Sequence, residues 1–406
     1  MSTYDDLAAR AQRLDAADPL ARFRDAFVDS SDVVAYLDGN SLGRPVRATR
    51  DRLSAFIDGA WGDRLIRSWD EQWFDAPTEV GDRLGVLTLG AAPGQVIVAD
   101  STTVMLYKLI RAAVDNAGER NEVVVDTGNF PTDRFVVEGI AAERGLVLRW
   151  IDPDPIAGVG VDDVRAVLGP RTALVLLSHV AFRSGAVADL PTITAAAHEA
   201  GALVLWDLCH SAGALDVQLD SAGVDLAVGC TYKYLNGGPG SPAFGYVSQM
   251  AQDRVTQPIQ GWMGAADPFA MGPSHAGADG IRQFVSGTPP VLAMQPMLDM
   301  LDLIEEAGIA TIREKSIALT GFAIEVADEL LAPRGVVVSS PREATRRGSH
   351  LLLDHPDFRE VTARLWEVGV IPDFRPPTGL RVGLSPLSTS FAEVARGLEE
   401  TGRLLA

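Results

Sequence analysis

Residues Leu203 to Val247 read LVLWDLCHSAGALDVQLDSAGVDLAVGCTYKYLNGGPGSPAFGYV, and this stretch decides the fold. Asp207 ends an apolar run, His210 follows three residues later, and Lys233 lies 26 residues after the aspartate, just before a Gly/Pro-rich turn. The segment before Lys233, DLAVGC, has the composition of a buried strand. A lysine amine needs desolvation or a cationic neighbour to become a good nucleophile. The pattern therefore predicts a reactive lysine close to a buried carboxylate, in place of an exposed lysine on a turn.

Short apolar runs alternate with helical patterns on both sides of this stretch. Runs that are apolar on both faces are typical of parallel strands covered by helices. The predicted strands are QVIVAD (95–100), EVVVD (122–126), LVLRWI (146–151), ALVLLS (173–178), ALVLWD (202–207) and DLAVG (225–229). Helical spacing with a glycine near the end marks 130–145 and 192–201, and 101–117 has the same spacing. We therefore expect an α/β fold with a mostly parallel sheet.

Polar residues follow most of these strands directly. In an open α/β sheet, ligands bind at the carboxyl ends of the strands, so the residues placed there should share one edge. After residue 292 the pattern changes to helices followed by short strands, which indicates a smaller α+β domain. We expect a large domain over 46–291 and a small domain from 1–45 and 292–406.

Composition excludes several classes of protein. A formal net charge of -19 argues against nucleic-acid binding, which needs clustered Lys and Arg. No apolar run has the roughly 18 residues that a membrane helix needs. Cys209 and Cys230 are the two cysteines, which gives no disulfide framework or zinc pattern and suits a reducing compartment. The acidic N-terminus differs from a targeting peptide, so the expected location is the cytoplasm.

Five motifs in fixed order resemble those of the kynureninase family. They are YLDGNSLGRPV (36–46), NFPTD (129–133), GCTYKYLNGGPG (229–240), QGWMG (260–264) and GLRVGLSPL (379–387). Kynureninases are pyridoxal 5'-phosphate enzymes of the aspartate-aminotransferase-like superfamily. The resemblance implies a PLP-dependent transferase fold with the cofactor on Lys233. It also implies hydrolytic Cβ–Cγ cleavage of L-kynurenine to anthranilate and L-alanine in tryptophan degradation, and a homodimer with shared active sites.

The residues themselves support part of this interpretation. Asp207 ends a buried strand, where a carboxylate needs a partner, and a protonated pyridine nitrogen is such a partner. Thr102 and Thr103 lie where a strand turns into a helix, so they offer hydroxyl groups and free backbone N–H groups to a phosphate. Simple capping of that helix by Ser101 or Thr102 is the alternative.

Other roles come only from the resemblance. It implies that Phe130 stacks on the cofactor ring, that Arg381 grips the substrate α-carboxylate, and that Tyr232 contacts the phosphate and handles a proton. Trp61 and Thr288 align with positions that distinguish kynurenine from its ring-hydroxylated form. The remaining residues that it assigns to the cofactor pocket are Thr132, Asp133, Ser178, His210 and, across the dimer interface, Trp262 and Thr288.

Three alternatives remain open at this point. The chain could act on a modified kynurenine in secondary metabolism, or it could be another PLP enzyme of this fold, such as a cysteine desulfurase or class V aminotransferase. A desulfurase needs a mobile reactive cysteine, whereas Cys209 and Cys230 both lie at strand ends. A non-catalytic protein on the same fold is the third alternative, which Lys233, Asp207 and Arg381 disfavour.

Overall fold

A computed structural model describes residues 3–405 of the chain. Its first two-thirds alternates strands and helices. In chain order these are α1 (Thr3–Ala17), β1 (Ala35–Tyr36), α2 (Ala48–Ala55), α3 (Ala76–Leu84), β2 (Val96–Ala99), α4 (Thr102–Asp115), β3 (Glu122–Asp126), α5 (Pro131–Arg144), β4 (Val147–Ile151), α6 (Val161–Val167), β5 (Thr172–Ser178), α7 (Leu190–Glu199), β6 (Leu203–Asp207), β7 (Leu226–Cys230), β8 (Ala243–Val247) and α8 (Gln249–Gln252).

The last third contains two long helices followed by short strands. Its elements are α9 (Val291–Ala307), α10 (Ile309–Val326), β9 (Val337–Val338), β10 (His350–Asp354), α11 (Phe358–Glu367), β11 (Val370–Ile371), β12 (Asp373–Arg375), β13 (Gly379–Gly383) and α12 (Phe391–Leu404). Short 3₁₀ segments lie at Ala21–Ala26, Leu65–Arg67, Trp262–Gly264, Gly280–Phe284, Ala332–Arg334 and Ala344–Arg346. Segments with π-helical bonding lie at Phe56–Asp63, Trp69–Trp73, Gly85–Leu89 and Ala327–Leu331.

A seven-stranded sheet forms the centre of the molecule, in the order β2-β8-β7-β6-β5-β3-β4. β4, β3, β5, β6 and β7 pair in parallel, and β8 runs antiparallel to both of its neighbours. This confirms the predicted α/β fold with a mostly parallel sheet. β8 was not predicted, although its sequence AFGYV lies inside the stretch 203–247.

One predicted feature of the sheet is wrong. The run at 146–151 was expected to be buried on both faces, but β4 is the edge strand and Val147 and Trp150 are 40% and 37% exposed. An apolar run alone does not say whether a strand has a neighbour on each side, because sheet order depends on the path of the whole chain.

Local sequence signals set where α4 and α5 begin and end. Ser101 precedes α4 in an extended conformation, and its side chain accepts a hydrogen bond from Val104 N at 3.4 Å. α5 begins with Pro131 and ends at Gly145, whose φ of 67° is the left-handed conformation that glycine tolerates. These two helices therefore begin directly at the carboxyl ends of β2 and β3.

The C-terminal part has its own antiparallel sheet, in the order β12-β13-β10-β9. A separate apolar core under this sheet contains residues from α1, β1, α10 and α12, among them Leu7, Ala35, Phe322 and Leu398. β1 pairs in parallel with β11 in a separate two-stranded sheet, which joins the N-terminal residues to the C-terminal part. α9 packs its apolar side on the core of the large sheet, where Met297 and Leu301 are fully buried. The domain limits 46–291, 1–45 and 292–406 stay a prediction.

No helix among residues 3–405 is long and apolar enough to cross a membrane.

Candidate active site

A cavity of about 90 Å³ opens at the carboxyl edge of the large sheet. Strand ends from β2, β3, β5, β6 and β7 all reach it, as the fold class requires. Most residues that the sequence assigned to the cofactor pocket line this one cavity. Its wall consists of Thr102, Thr103, Phe130, Thr132, Asp133, Ser178, Val180, Phe182, Asp207, Cys209, His210, Tyr232 and Lys233.

Two carboxyl groups meet on one side of the cavity. Asp207 ends β6 and is 6% exposed, and its Oδ1 accepts a hydrogen bond from Cys209 N at 2.7 Å. The side chain of Asp133, in the first turn of α5, lies within hydrogen-bond reach of Asp207. Burial first, and the charge of Asp207 second, raise the pKa of Asp133 well above its usual range. Asp133 is therefore the carboxyl group of this pair that holds the proton.

Lys233 lies across the cavity from these carboxyl groups. Its Nζ is 3.1 Å from Nε2 of His210 and 5.9 Å from the ring centroid of Phe130. Burial first, and the charge of Lys233 second, hold the pKa of His210 well below its usual range. His210 is therefore neutral, and its Nε2 accepts a hydrogen bond from the lysine amine.

Ser178 and Phe130 form another part of the wall. Ser178 ends β5 in register with Asp207, and its hydroxyl donates to Asn129 Oδ1 at 2.7 Å. The same Asn129 oxygen accepts from Phe130 N at 2.7 Å, which fixes the start of α5. The Phe130 ring packs edge to face on Phe182 at 5.4 Å. Asn129 thus links the ends of β3 and β5 below the aromatic ring.

Thr102 and Thr103 are the first residues of α4. Ser101 provides the side-chain cap, so the alternative explanation for Thr102 as a capping residue is not the arrangement in the structure. The N-terminus of a helix presents backbone N–H groups and the positive end of its dipole. This end of the cavity therefore favours an anion.

Arg381 lies outside this cavity, in β13, and is 1% exposed. Its Nη1 donates to the carbonyl of Phe182 at 2.7 Å, and its Nη2 donates to Ser41 Oγ at 2.7 Å and to Asp373 Oδ2 at 2.5 Å. With the side-chain amide of Asn40 oriented so that its oxygen points toward Arg381, Asn40 Oδ1 accepts a hydrogen bond from Arg381 Nε at 2.8 Å. The guanidinium thus already has four acceptors, and one of them belongs to a residue of the cavity wall.

Three other residues from the sequence interpretation, besides Arg381, lie away from the cavity of this chain. Trp61, in the Phe56–Asp63 segment, is 52% exposed, and Trp262 is 43% exposed beside Phe269. Thr288 is also exposed. Trp262 and Thr288 were expected to act on a partner subunit, so their position in one protomer agrees with that expectation without testing it. Trp61 does not line the cavity, and its substrate role stays a prediction.

Sequence reasoning missed several residues around the site. Val180, Phe182 and Cys209 line the cavity, and Asn40 and Asp373 hold Arg381. Asn40 lies in the motif YLDGNSLGRPV, which indicated the family but did not predict a role for this residue. Asp373 lies opposite Arg381 on the neighbouring strand β12, and no sequence pattern predicted that pairing.

Comparison with known proteins relates this site to a family. A model of the kynureninase C-terminal domain matches residues 312–400, and a model of the DegT/DnrJ/EryC1/StrS aminotransferase family matches residues 91–223. The kynureninase of Pseudomonas fluorescens is 41% identical over 100% of this chain and 96% of its own length. The chain belongs to the kynureninase family. A Burkholderia pseudomallei kynureninase is also 41% identical, over 96% of this chain and 93% of its own.

Solved structures support the fold class. A cysteine desulfurase from Thermococcus onnurineus has a TM-score of 0.82 at 18% identity, covering 95% of this chain and 98% of its own. A C-DES mutant with glycine covalently linked to its PLP cofactor has a TM-score of 0.79 at 17% identity, covering 91% of this chain and 96% of its own. At these identities the likeness concerns the fold alone, while the similarity over the whole sequence is to kynureninases.

Pyridoxal 5'-phosphate is the cofactor of this family, and the residues of the cavity fit it. The carboxyl pair presents carboxylate oxygens that can accept a hydrogen bond, and Asp133 Oδ2 has no hydrogen-bond partner within residues 3–405. A cationic ring nitrogen at Asp207 would relieve the burial of that charge. The amine of Lys233, the ring of Phe130 and the N-terminus of α4 supply the other contacts that an aldehyde, a flat ring and a phosphate need.

Proposed function

We propose that this protein is a kynureninase that hydrolyses L-kynurenine, and 3-hydroxykynurenine as well, to alanine and anthranilate or 3-hydroxyanthranilate in tryptophan degradation. The observation that carries the proposal is 41% identity to kynureninases over the whole chain, joined to a cavity that contains Lys233 and Asp207. A kynureninase is a PLP-dependent hydrolase that cleaves a carbon–carbon bond.

When bound, pyridoxal phosphate supplies an electron sink for bonds that break at the substrate Cα and Cβ. Lys233 holds the cofactor, and its amine then takes the proton from Cα. Asp207 would keep a proton on the ring nitrogen, and the protonated carboxyl group of Asp133 donates a hydrogen bond to Asp207, which holds that carboxylate in place. His210 accepts a hydrogen bond from the Lys233 amine and orients it. Tyr232, in the cavity wall beside Lys233, is our candidate for proton transfer during carbon–carbon cleavage.

Water is the nucleophile at the substrate γ-carbonyl. The two thiols near the site are unsuited to this step, since both cysteines are buried. Contact with Cys230 and burial raise the pKa of the Cys209 thiol well above its usual range. The same burial disfavours a desulfurase function, which needs an accessible and mobile cysteine.

We propose that Arg381 recognises the substrate α-carboxylate next to the Phe182 wall. A bidentate grip uses one N–H from each terminal nitrogen, but Nη2 already donates to Ser41 and Asp373. The substrate carboxylate therefore replaces one of these two acceptors when it binds. Trp61 and Thr288 are proposed to favour unsubstituted kynurenine at the ring end of the substrate.

The functional unit is proposed to be a homodimer in which Trp262 and Thr288 reach the phosphate in the partner's site. An apolar groove supports this proposal, since Leu42, Ile57 and Leu292 are all substantially exposed along its wall. A large exposed apolar groove is typical of an interaction surface. We place the enzyme in the cytoplasm, because its two cysteines are free thiols.

The direct test is to load the purified protein with pyridoxal phosphate and incubate it with kynurenine and 3-hydroxykynurenine separately. We expect alanine and the matching anthranilate in equal amounts, with the higher initial rate for kynurenine. Lys233→Ala is the matched inactive control. Release of sulfide from cysteine, with neither kynurenine cleaved, would replace the proposal with desulfurase activity.

A further inference from the structure

A second buried imidazole lies behind His210. His350, on β10 of the C-terminal sheet, is 0% exposed, and its ring centroid is 5.0 Å from that of His210. His350 is in register with Gly383, two residues beyond Arg381 on β13. Since side chains two residues apart point to the same face of a strand, His350 and Arg381 face the large sheet together.

Each of these two rings has a nitrogen atom without a hydrogen-bond partner. Within residues 3–405, Nδ1 of His210 has none, and the ring nitrogens of His350 have none besides the nearby carbonyl of Ala181. Buried polar groups are rarely left unpaired, and ordered water supplies the missing partner where protein atoms do not. Two such atoms on neighbouring rings therefore indicate a hydrated contact between them.

The hydrogen bond to Lys233 fixes the direction of the contact. Nε2 of His210 accepts from the lysine amine at 3.1 Å, so a neutral His210 carries its proton on Nδ1. That Nδ1–H needs an acceptor, and His350 offers the nearest unpaired imidazole. The carbonyl of Ala181 lies beside His350 and is available to its N–H group.

Burial and the surrounding positive charges keep both imidazole rings neutral. Lys233, Arg381 and Arg375 all face the pair. Burial first and these cations second hold the pKa of each histidine well below its usual range. A neutral imidazole can donate with one nitrogen and accept with the other, which a chain of hydrogen bonds requires.

We propose that His350 is a positioning residue that, through one bridging water molecule, orients His210 against the amine of Lys233. The chain runs from the Lys233 amine to His210, then to the water, His350 and the Ala181 carbonyl. It connects the catalytic lysine to the strand pair that carries Arg381. This inference rests on the proposed function for its kinetic part only.

Two variants test the proposal. His350→Leu removes both nitrogens at similar volume, and kcat for kynurenine should fall about 10- to 100-fold with KM changed less than about twofold. His350→Gln keeps a donor and an acceptor and should recover most of kcat. His355→Leu, in the same sheet region but outside the chain of hydrogen bonds, is the matched control and should behave as wild type.

A second readout does not depend on turnover. The visible absorbance of the bound cofactor reports protonation of the nitrogen that Lys233 contributes. If His210 loses its orientation, that nitrogen loses an acceptor, and the apparent pKa of the absorbance change should fall by about 0.5 to 1 unit in His350→Leu. An unshifted titration in a folded and fully loaded variant would overturn the positioning role, whatever the substrate proves to be.

A double-mutant cycle separates positioning from a general structural role. If His350 acts through His210, adding His350→Leu to His210→Phe should cost no further activity. Losses that multiply would refute the proposal. If His350→Leu does not fold, a crystal structure of the wild-type holoenzyme decides, since a water within about 3.2 Å of both imidazoles is required. An empty space or a direct contact between the rings would refute it.

Discussion

Replacing Asp133 with asparagine should leave turnover nearly intact, whereas the same replacement at Asp207 should remove most of it. The structure distinguishes the two carboxyl groups by their protons. Burial and the charge of Asp207 raise the pKa of Asp133 well above its usual range, so Asp133 is neutral and donates to Asp207. The amide of Asp133→Asn also donates a hydrogen bond and is also neutral, so it reproduces the native contact.

The expected magnitudes follow from this difference. Asp207→Asn leaves a buried cation of the cofactor without its counter-charge, a loss of about 3 kcal/mol and so of about 150-fold in kcat. The fold should survive, because the amide oxygen can still accept from Cys209 N. Asp133→Asn should change kcat by less than about fivefold, the size of one neutral hydrogen bond.

Both variants are measured by single-turnover and steady-state kinetics with kynurenine at saturating cofactor. Cofactor affinity, measured by titrating the visible absorbance, should weaken clearly only for Asp207→Asn. Equal damage in the two variants would refute the assignment of the proton to Asp133. Greater damage at Asp133 would place the charged carboxylate there instead.

Three further predictions concern other parts of the molecule. Arg381→Lys keeps the charge but loses the planar fork, so KM for kynurenine should rise at least tenfold while cofactor affinity changes little, and an unchanged KM would place the carboxylate site elsewhere. Burial raises the pKa of Asp38 to about 6. The protonated carboxyl group therefore stabilises the folded state below about pH 4, and this contribution is lost as the pH rises through 6. The melting temperature of Asp38→Asn should exceed that of the wild type at pH 8 and not at pH 4. Mixing a Lys233→Ala chain with a chain that carries Trp262→Ala and Thr288→Ala should raise activity above the mean of the two homodimers, because one heterodimer site is intact; no rise after verified subunit exchange would assign Trp262 and Thr288 to their own chain's site.

The sequence predicts the parallel part of the fold well because its signals are local. Each of β3, β5 and β6 is an uninterrupted apolar run that ends in a polar residue, and the structure places those ends together. β8 gives no comparable signal, since AFGYV is short, contains a glycine and follows a Gly/Pro-rich turn. Its antiparallel direction depends on where that turn sends the chain, which is a property of the assembled sheet.

In the candidate site, too, residues that are close in sequence were predicted, and residues brought together by strand pairing were not. Asp207 and Lys233 belong to one stretch of sequence, and their positions after β6 and β7 bring them to one edge. Asp373 and His350 lie far from Lys233 in the chain, and their roles depend on the registers of β12 and β10 with β13. A single sequence carries no information on such registers, so these contacts required the structure.

The reversed direction of β8 has a mechanical consequence for the lysine. Because β7 ends and β8 begins at the same edge, the connection 231–242 is tied to the sheet at both of its ends, and Cys230 is in register with Ala243. Inside this connection, Gly237 N donates to Thr231 O and Asn236 N donates to Lys233 O, so hydrogen bonds also hold its backbone. We therefore expect the Lys233 amine to move between holding the cofactor and carrying a proton by rotations about the four methylene groups of its side chain, and not by movement of the backbone.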